Sequence, residues 1–205
     1  MISKSERTTQ YILETVAPVF NRHGYTATSM SDITSATGLT KGAIYGNFNN
    51  KEELAIKAFE FNVHKVVNSI REQSRSSRSP YLRLKNITRF YRNYKSYVAE
   101  MGGCPILNIG VDANNNNPEL FVRVKRIIKE IQGQISRLIE KGQECGELTR
   151  EIDADIYAGR IFGQIQGSIF LSVTMKSDKY MIDMMDTIDD MIDREMKDPK
   201  KTIKE

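Results

Sequence analysis

The sequence predicts an all-α fold of about nine helices, arranged as a small three-helix head followed by a larger helical body. Three observations carry this expectation. Apolar residues recur at helical spacing along most of the chain, Gly and Pro fall where helices should start and stop, and no stretch alternates at period two over a useful length. At 205 residues, with 40% apolar and 27% charged side chains, the chain has the composition of an ordinary globular protein and can bury a sizeable core.

In "ERTTQYILETVAPVFNRHGY", Ile12, Leu13, Val16, Ala17 and Phe20 form one stripe of an amphipathic helix. Pro18 predicts a bend there, and Gly24 ends the helix with His23 in its last turn. Thr28 is placed to cap a second, short helix through Ile33 and Ala36, and Gly38 makes the turn. Leu39 returns the chain to the core, and Thr40 caps a third helix, "KGAIYGNF", closed by Asn49 and Asn50. Lys51-Glu52-Glu53 open a long helix with Leu54, Ile56, Phe59, Val63, Val66, Val67 and Ile70 inward. It frays into "REQSRSSRSP", read as a linker. Pro80 starts a helix carrying Leu84, Ile87, Phe90 or Tyr91, Tyr94, Val98 and Met101 on one face, stopped by Gly102-Gly103. Asn117-Pro118-Glu119 has the form of a capped start for another helix, reaching about Gln143. Two more follow, from about Asp153 to Lys176 and from Tyr180 to about Met196.

Several function classes lack their parts. Two cysteines, Cys104 and Cys145, and two histidines, His23 and His64, supply neither a disulfide framework nor a metal site of usual spacing. No nucleophile–base pairing or Gly-rich phosphate loop is present, so the chain is read as a non-enzyme without metal or cofactor. No apolar run approaches the roughly 18–20 residues of a membrane helix, and "MISKSERTTQ" lacks a secretory core, which makes cytoplasmic residence the expectation. The formal charge of +4 is uneven. Residues 1–100 hold 15 Lys and Arg against 8 Asp and Glu, a net +7, whereas residues 101–205 hold 15 against 18, a net −3. The basic half is the one suited to face a polyanion.

Two short helices joined by a Gly-containing turn make a helix-turn-helix, with Ile33, Leu39 and Ile44 locking the angle and Ala36 allowing close approach. The second helix shows Thr40, Lys41, Gly42, Ala43, Tyr45 and Asn47 outward, short or polar groups that can lie in a DNA major groove. The stretch "GYTATSMSDITSATGLTKGAIYGNFNNKEEL" resembles the DNA-binding region of the TetR/AcrR family of bacterial transcriptional regulators. Its Gly-aromatic start, Asp-Ile, turn Gly, Lys-Gly-x-x-Tyr-x-x-Phe and Lys-Glu-x-Leu run from Gly24 to Leu54. By position, the resemblance implies phosphate contacts from Thr28 and Lys51, and base-edge or adjoining phosphate contacts from Thr40, Lys41, Gly42 and Tyr45. It implies that Phe48 fastens the head to the fourth helix. Gly46 departs from a position often large in the family.

The resemblance divides the chain into a DNA-binding head, residues 1–50, and a ligand-sensing and dimerisation body, residues 51–205. One head reads too few bases for a unique address, so a homodimer on a palindromic operator of double-stranded DNA is expected. In "AGRIFGQIQGSIF", Gly159, Gly163 and Gly167 form a bare helical stripe, each costing roughly 1 kcal/mol against Ala, which suggests a close helix partner. Met181, Met185, Ile188 and Ile192 on the last helix complete the expected dimer interface. For a small-molecule effector, Phe90, Tyr94, Tyr97, Phe121 and Phe162 are candidate pocket aromatics. Cys104 in "GGCPIL" stands at a helix start, where a thiol becomes more reactive, and is similar to the Gly-Cys of a subset of the same family; its other reading is a small buried residue that fills core space. The function read is a repressor released by a small-molecule or thiol-reactive inducer. Alternatives are a DNA-coating protein without sequence preference and a helical carrier with a vestigial DNA head.

Overall fold

The computed structural model describes residues 3–75 and 77–200; residue 76 of the expected linker lies outside them. Ten α-helices account for most of the described residues, with no strand among them. They are α1 (Lys4–Ala27), α2 (Met30–Thr37), α3 (Lys41–Tyr45), α4 (Lys51–Gln73), α5 (Pro80–Arg92), α6 (Tyr94–Val98), α7 (Pro105–Asn116), α8 (Pro118–Glu144), α9 (Ala154–Thr174) and α10 (Lys179–Met191). A π turn, Ile192–Met196, continues α10. The count exceeds nine because the helix expected across residues 80–101 breaks at Asn93, leaving α5 and α6.

Local chemistry sets most boundaries. Ser3 and Glu6 close a capping box on α1, and Ser29 and Asp32 another on α2. The cap of α2 is therefore Ser29, not Thr28. Thr28 is buried, its hydroxyl donating to the Gly24 carbonyl at 2.7 Å. The expected cap at Thr40 is present, accepting from the Ala43 N–H at 3.2 Å. Asn49 and Asn50 serve the next helix rather than closing α3: Asn50 Oδ1 accepts from the Glu53 N–H at 2.7 Å, and Glu53 accepts from Asn49. Ser79 caps α5 ahead of Pro80, Asn117 caps α8 ahead of Pro118, and Asp153 caps α9. Backbone angles stay helical through Pro18; α1 departs from them only at Gly24, φ 81° and ψ 170°.

The helices pack as two compact units. Of the described residues, one unit takes those up to Val67 together with Val98–Arg126, and the other takes those between Asn68 and Tyr97 with those from Ile127 onward. The core of the first unit joins Ile12, Val16, Ala17 and Phe20 of α1 to Ile33, Ile44, Phe48, Leu54, Ala55 and Ala58. Each large side chain buried here contributes about 1.5–3 kcal/mol. Ala36 is exposed and does not mark the α2–α3 approach; Thr37 is the buried small residue, its hydroxyl donating to the Ile33 carbonyl at 2.8 Å. Along α4, Ile56, Val67 and Ile70 are only half-buried.

Helix α7 packs along α1 through amides. Asn21 Nδ2 donates to the Met101 and Gly103 carbonyls at 2.6 and 2.7 Å, and Asn108 Nδ2 donates to the Asn21 and Gly102 carbonyls at 3.0 and 3.1 Å. In the second unit, α10 packs on α9 and α5. Lys85 and Arg92 of α5 meet Asp189, with Asp193 on Lys85 and Asp186 on Arg92.

Candidate nucleic-acid interface

Helix α3 buries a single residue, Ile44, and leaves Lys41, Gly42, Ala43 and Tyr45 exposed on the other side. Tyr45 keeps 44% of its surface in solvent although it belongs to a packed head. Three bonds hold this exposed face in place. The Thr40 cap fixes the start of α3, Asn47 Nδ2 donates to the Ala43 carbonyl at 2.9 Å, and Thr9 Oγ1 donates to Asn47 Oδ1 at 2.9 Å. Both ends of the Asn47 amide are thus engaged within the protein. Asn47 braces α3 against α1 instead of presenting a free reading edge. Thr28 is likewise committed beneath the surface. Gly46 has ordinary helical angles, with a site for Cβ 3.4 Å from the nearest carbonyl oxygen.

Lys51 opens α4 beside this face, its ammonium 4.4 Å from the Tyr25 ring centre. Burial pushes the lysine pKa down, while Asp112 and Asp32 pull it up. The ring contact favours the cation and restricts its rotamers, so less freedom is lost when a phosphate arrives. Tyr25 is itself tied down, its N–H donating to Asp112 Oδ2 of α7 at 2.6 Å. That carboxylate fills the space a side chain at residue 24 would need: a Cβ there would lie 2.8 Å from Asp112 Cγ. Sequence reasoning misses Tyr25 and Asp112. The Gly-aromatic pair is a signal for Tyr25; Asp112, far along the chain, has none.

The candidate sensing residues separate. Phe90, Tyr94 and Tyr97 come together with Tyr91 as edge-to-face rings, Phe90 lying 5.0 Å from Tyr97 and 6.0 Å from Tyr94. Phe90 and Tyr97, with Gln73, Asn86, Arg89 and Asn93, line a cavity of about 370 Å³. Phe121 lies beneath the Lys125 ammonium in the first unit, and Phe162 is buried in the second. Cys104 precedes α7 as expected but is buried, with 3% of its surface accessible.

The expected dimer surface is divided as well. Met181, Met185, Ile188 and Ile192 are buried in the protomer's own core and do not face outward. The reason is register: the aspartates alternating with them take the solvent side and the α5 cations. The Gly159, Gly163 and Gly167 stripe does face outward: among the described residues, and apart from the adjacent residues and the local helix backbone, no atom lies within 4 Å of a Cβ at any of the three. Ile156, Phe170 and Val173 of the same helix are more than half exposed.

Residues 12–58 match the family model of the bacterial regulatory proteins, tetR family, and residues 80–188 match that of the tetracyclin repressor-like C-terminal domain. The second match alone spans more than half of the chain. This chain belongs to the TetR family. A TetR-family transcriptional regulator from Cytophaga hutchinsonii is 31% identical and superposes with a TM-score of 0.89, over 98% of this chain and 100% of that one. One from Chloroflexus aurantiacus is 30% identical with a TM-score of 0.87, over 95% and 98%. Among curated relatives, the HTH-type transcriptional repressor DhaR of Mycobacterium sp. (strain GP1) is 26% identical over 78% of this chain and 79% of its own length. The TetR-family chain is accordingly a DNA-binding transcriptional regulator, from a family whose members dimerise and bind small molecules. No helix among the described residues is long and apolar enough to cross a membrane.

Proposed function

We propose that this TetR-family regulator is a homodimeric repressor that reads a palindromic operator and is released by a small-molecule effector. The exposed face of α3, held by Thr40 and Asn47 beside the restrained Lys51, is the observation that carries this reading. Tyr45, Lys41 and the small Gly42 and Ala43 meet base edges and adjoining phosphates, and the Thr40 hydroxyl, whose oxygen caps α3, still has its proton to donate to a phosphate. Lys51 supplies sequence-independent phosphate binding, and Thr28 and Asn47 position the elements that carry these groups. The outward stripe of α9, Gly159, Gly163 and Gly167 with Ile156 and Phe170 beside it, is the surface that meets a second copy.

For the effector, the cavity beside Phe90 and Tyr97 is favoured over Cys104, because a thiol this buried has little access to an electrophile. The effector acts through unequal affinity for two arrangements of the dimer, one of which spaces the recognition helices for grooves about 34 Å apart. The division of labour at DNA is tested with two variants. Lys51→Ala should weaken operator and random duplex by a similar factor, whereas Tyr45→Ala should weaken the operator more. Equal losses for both variants on both DNAs would refute the assignment.

A further inference from the structure

The first turns of α1 carry a basic groove that the interface described above leaves unused. Lys4, Arg7, Thr8, Tyr11 and Leu39 line an open groove of about 490 Å³. It is built firmly against the recognition elements: Tyr11 Oη donates to the Thr37 carbonyl at 2.9 Å, and Thr9 Oγ1 donates to Asn47 at 2.9 Å. Leu39, on one wall, directly precedes Thr40 and Lys41. The groove is therefore continuous with the DNA-facing surface.

Its chemistry is two-sided. Lys4 and Arg7 are exposed cations one helical turn apart, and among the described residues neither has an ion-pair partner. The nearby acids on the same helix are engaged elsewhere: Glu6 accepts from the Ser3 N–H at 2.7 Å, and Glu14 accepts from Gln10 at 2.7 Å. Positive charge at the start of a helix opposes its dipole, so these two cations do nothing for the stability of α1. Opposite them, Tyr11 and Leu39 offer an aromatic and an aliphatic surface.

We propose that this groove seats the sugar–phosphate backbone flanking each half-site, with Lys4 and Arg7 each neutralising one phosphate and Tyr11 and Leu39 lying against deoxyribose. An anionic strand with an apolar sugar between its charges matches both walls. The proposal rests on the reading of α3 as the helix that faces DNA. It adds to that reading two phosphate contacts outside the helix-turn-helix.

The test is fluorescence anisotropy with the full-length protein on its selected operator and on a random duplex, across a salt series. Variants are Lys4→Gln with Arg7→Gln, the charge-preserving Lys4→Arg with Arg7→Lys, and Tyr45→Ala. Each lost phosphate contact removes about 0.9 from the slope of log affinity against log salt, so the Gln pair should lose about 1.8 on both DNAs. The charge-preserving pair should keep the wild-type slope, and Tyr45→Ala should keep the slope while narrowing the gap between operator and random DNA. A Gln pair with an unchanged slope, its helicity equal to wild type by circular dichroism, overturns the groove contacts alone. A wild-type protein that binds neither duplex overturns the DNA-facing role of α3 along with them.

Discussion

Replacing Gly24 by Ala should cost this regulator more than any exposed glycine substitution, for two separable reasons. At φ 81° and ψ 170° the backbone occupies a region essentially restricted to glycine, which costs about 1–3 kcal/mol for other residues. The added Cβ would also fall 2.8 Å from Asp112 Cγ and 3.0 Å from both carboxylate oxygens. The carboxylate must then withdraw, and the Tyr25 N–H loses its 2.6 Å acceptor, a further cost of about 1–3 kcal/mol. Together these give about 2–6 kcal/mol, or roughly 2–4 °C in Tm for each kcal/mol in a chain of this size. Asp112→Ala alone should cost only the second part. In the double variant the lost bond is counted once, so the combined effect should fall short of the sum by about 1–3 kcal/mol. Urea unfolding followed by far-UV circular dichroism, at fixed protein concentration, measures all four corners of this cycle. Additive losses, or a Gly24→Ala variant within about 0.5 kcal/mol of wild type, would refute the claim that Asp112 and Gly24 form one joint.

Gly163→Arg should leave the protomer folded, since among the described residues no atom beyond the adjacent residues and the local helix backbone lies within 4 Å of its Cβ, and should convert a dimer to a monomer in analytical ultracentrifugation; a dimer that persists would remove α9 from the interface. Asp193 has its pKa held down: burial opposes ionisation, but the hydrogen bonds from Lys85 and Tyr81 outweigh it. A depressed folded-state pKa gives stability that is present above the unfolded carboxylate range and lost as pH falls through the folded value. Asp193→Asn should therefore lower Tm near pH 7 and have little effect near pH 2; a deficit independent of pH would contradict the ion-pair account. An alkylating reagent should label the exposed Cys145 well before the buried Cys104, read by peptide mass spectrometry, and equal rates would restore Cys104 as a sensor.

What the sequence made legible follows the range of the forces involved. Helix starts at Thr40, Pro80, Pro118 and Asp153 could be read because each is decided within four residues by a cap or a proline. The exposed side of α3 could be read because the helix is too short to bury more than Ile44. Misreadings arose where two local choices compete or where a distant partner decides. Thr28 and Ser29 are both good caps, and Asp32 three residues beyond Ser29 settles the matter through the capping box. Asn93 ends α5 without a Gly or Pro to announce it. The Met181, Met185, Ile188 and Ile192 stripe has the same period whether it faces its own core or a second copy, and the choice depends on α5 presenting Lys85 and Arg92 to the intervening aspartates. The Tyr25–Asp112 link, 87 residues apart, was out of reach of any local pattern.

Whether this regulator reads one operator is decided by selecting bound duplexes from a random DNA pool and sequencing them. A dimer that reads base edges through α3 should enrich one palindrome whose half-sites lie one helical turn, about 34 Å, apart, and should lose that enrichment with Tyr45→Ala. A pool recovered without any preferred sequence would contradict it and favour a protein that coats DNA indifferently.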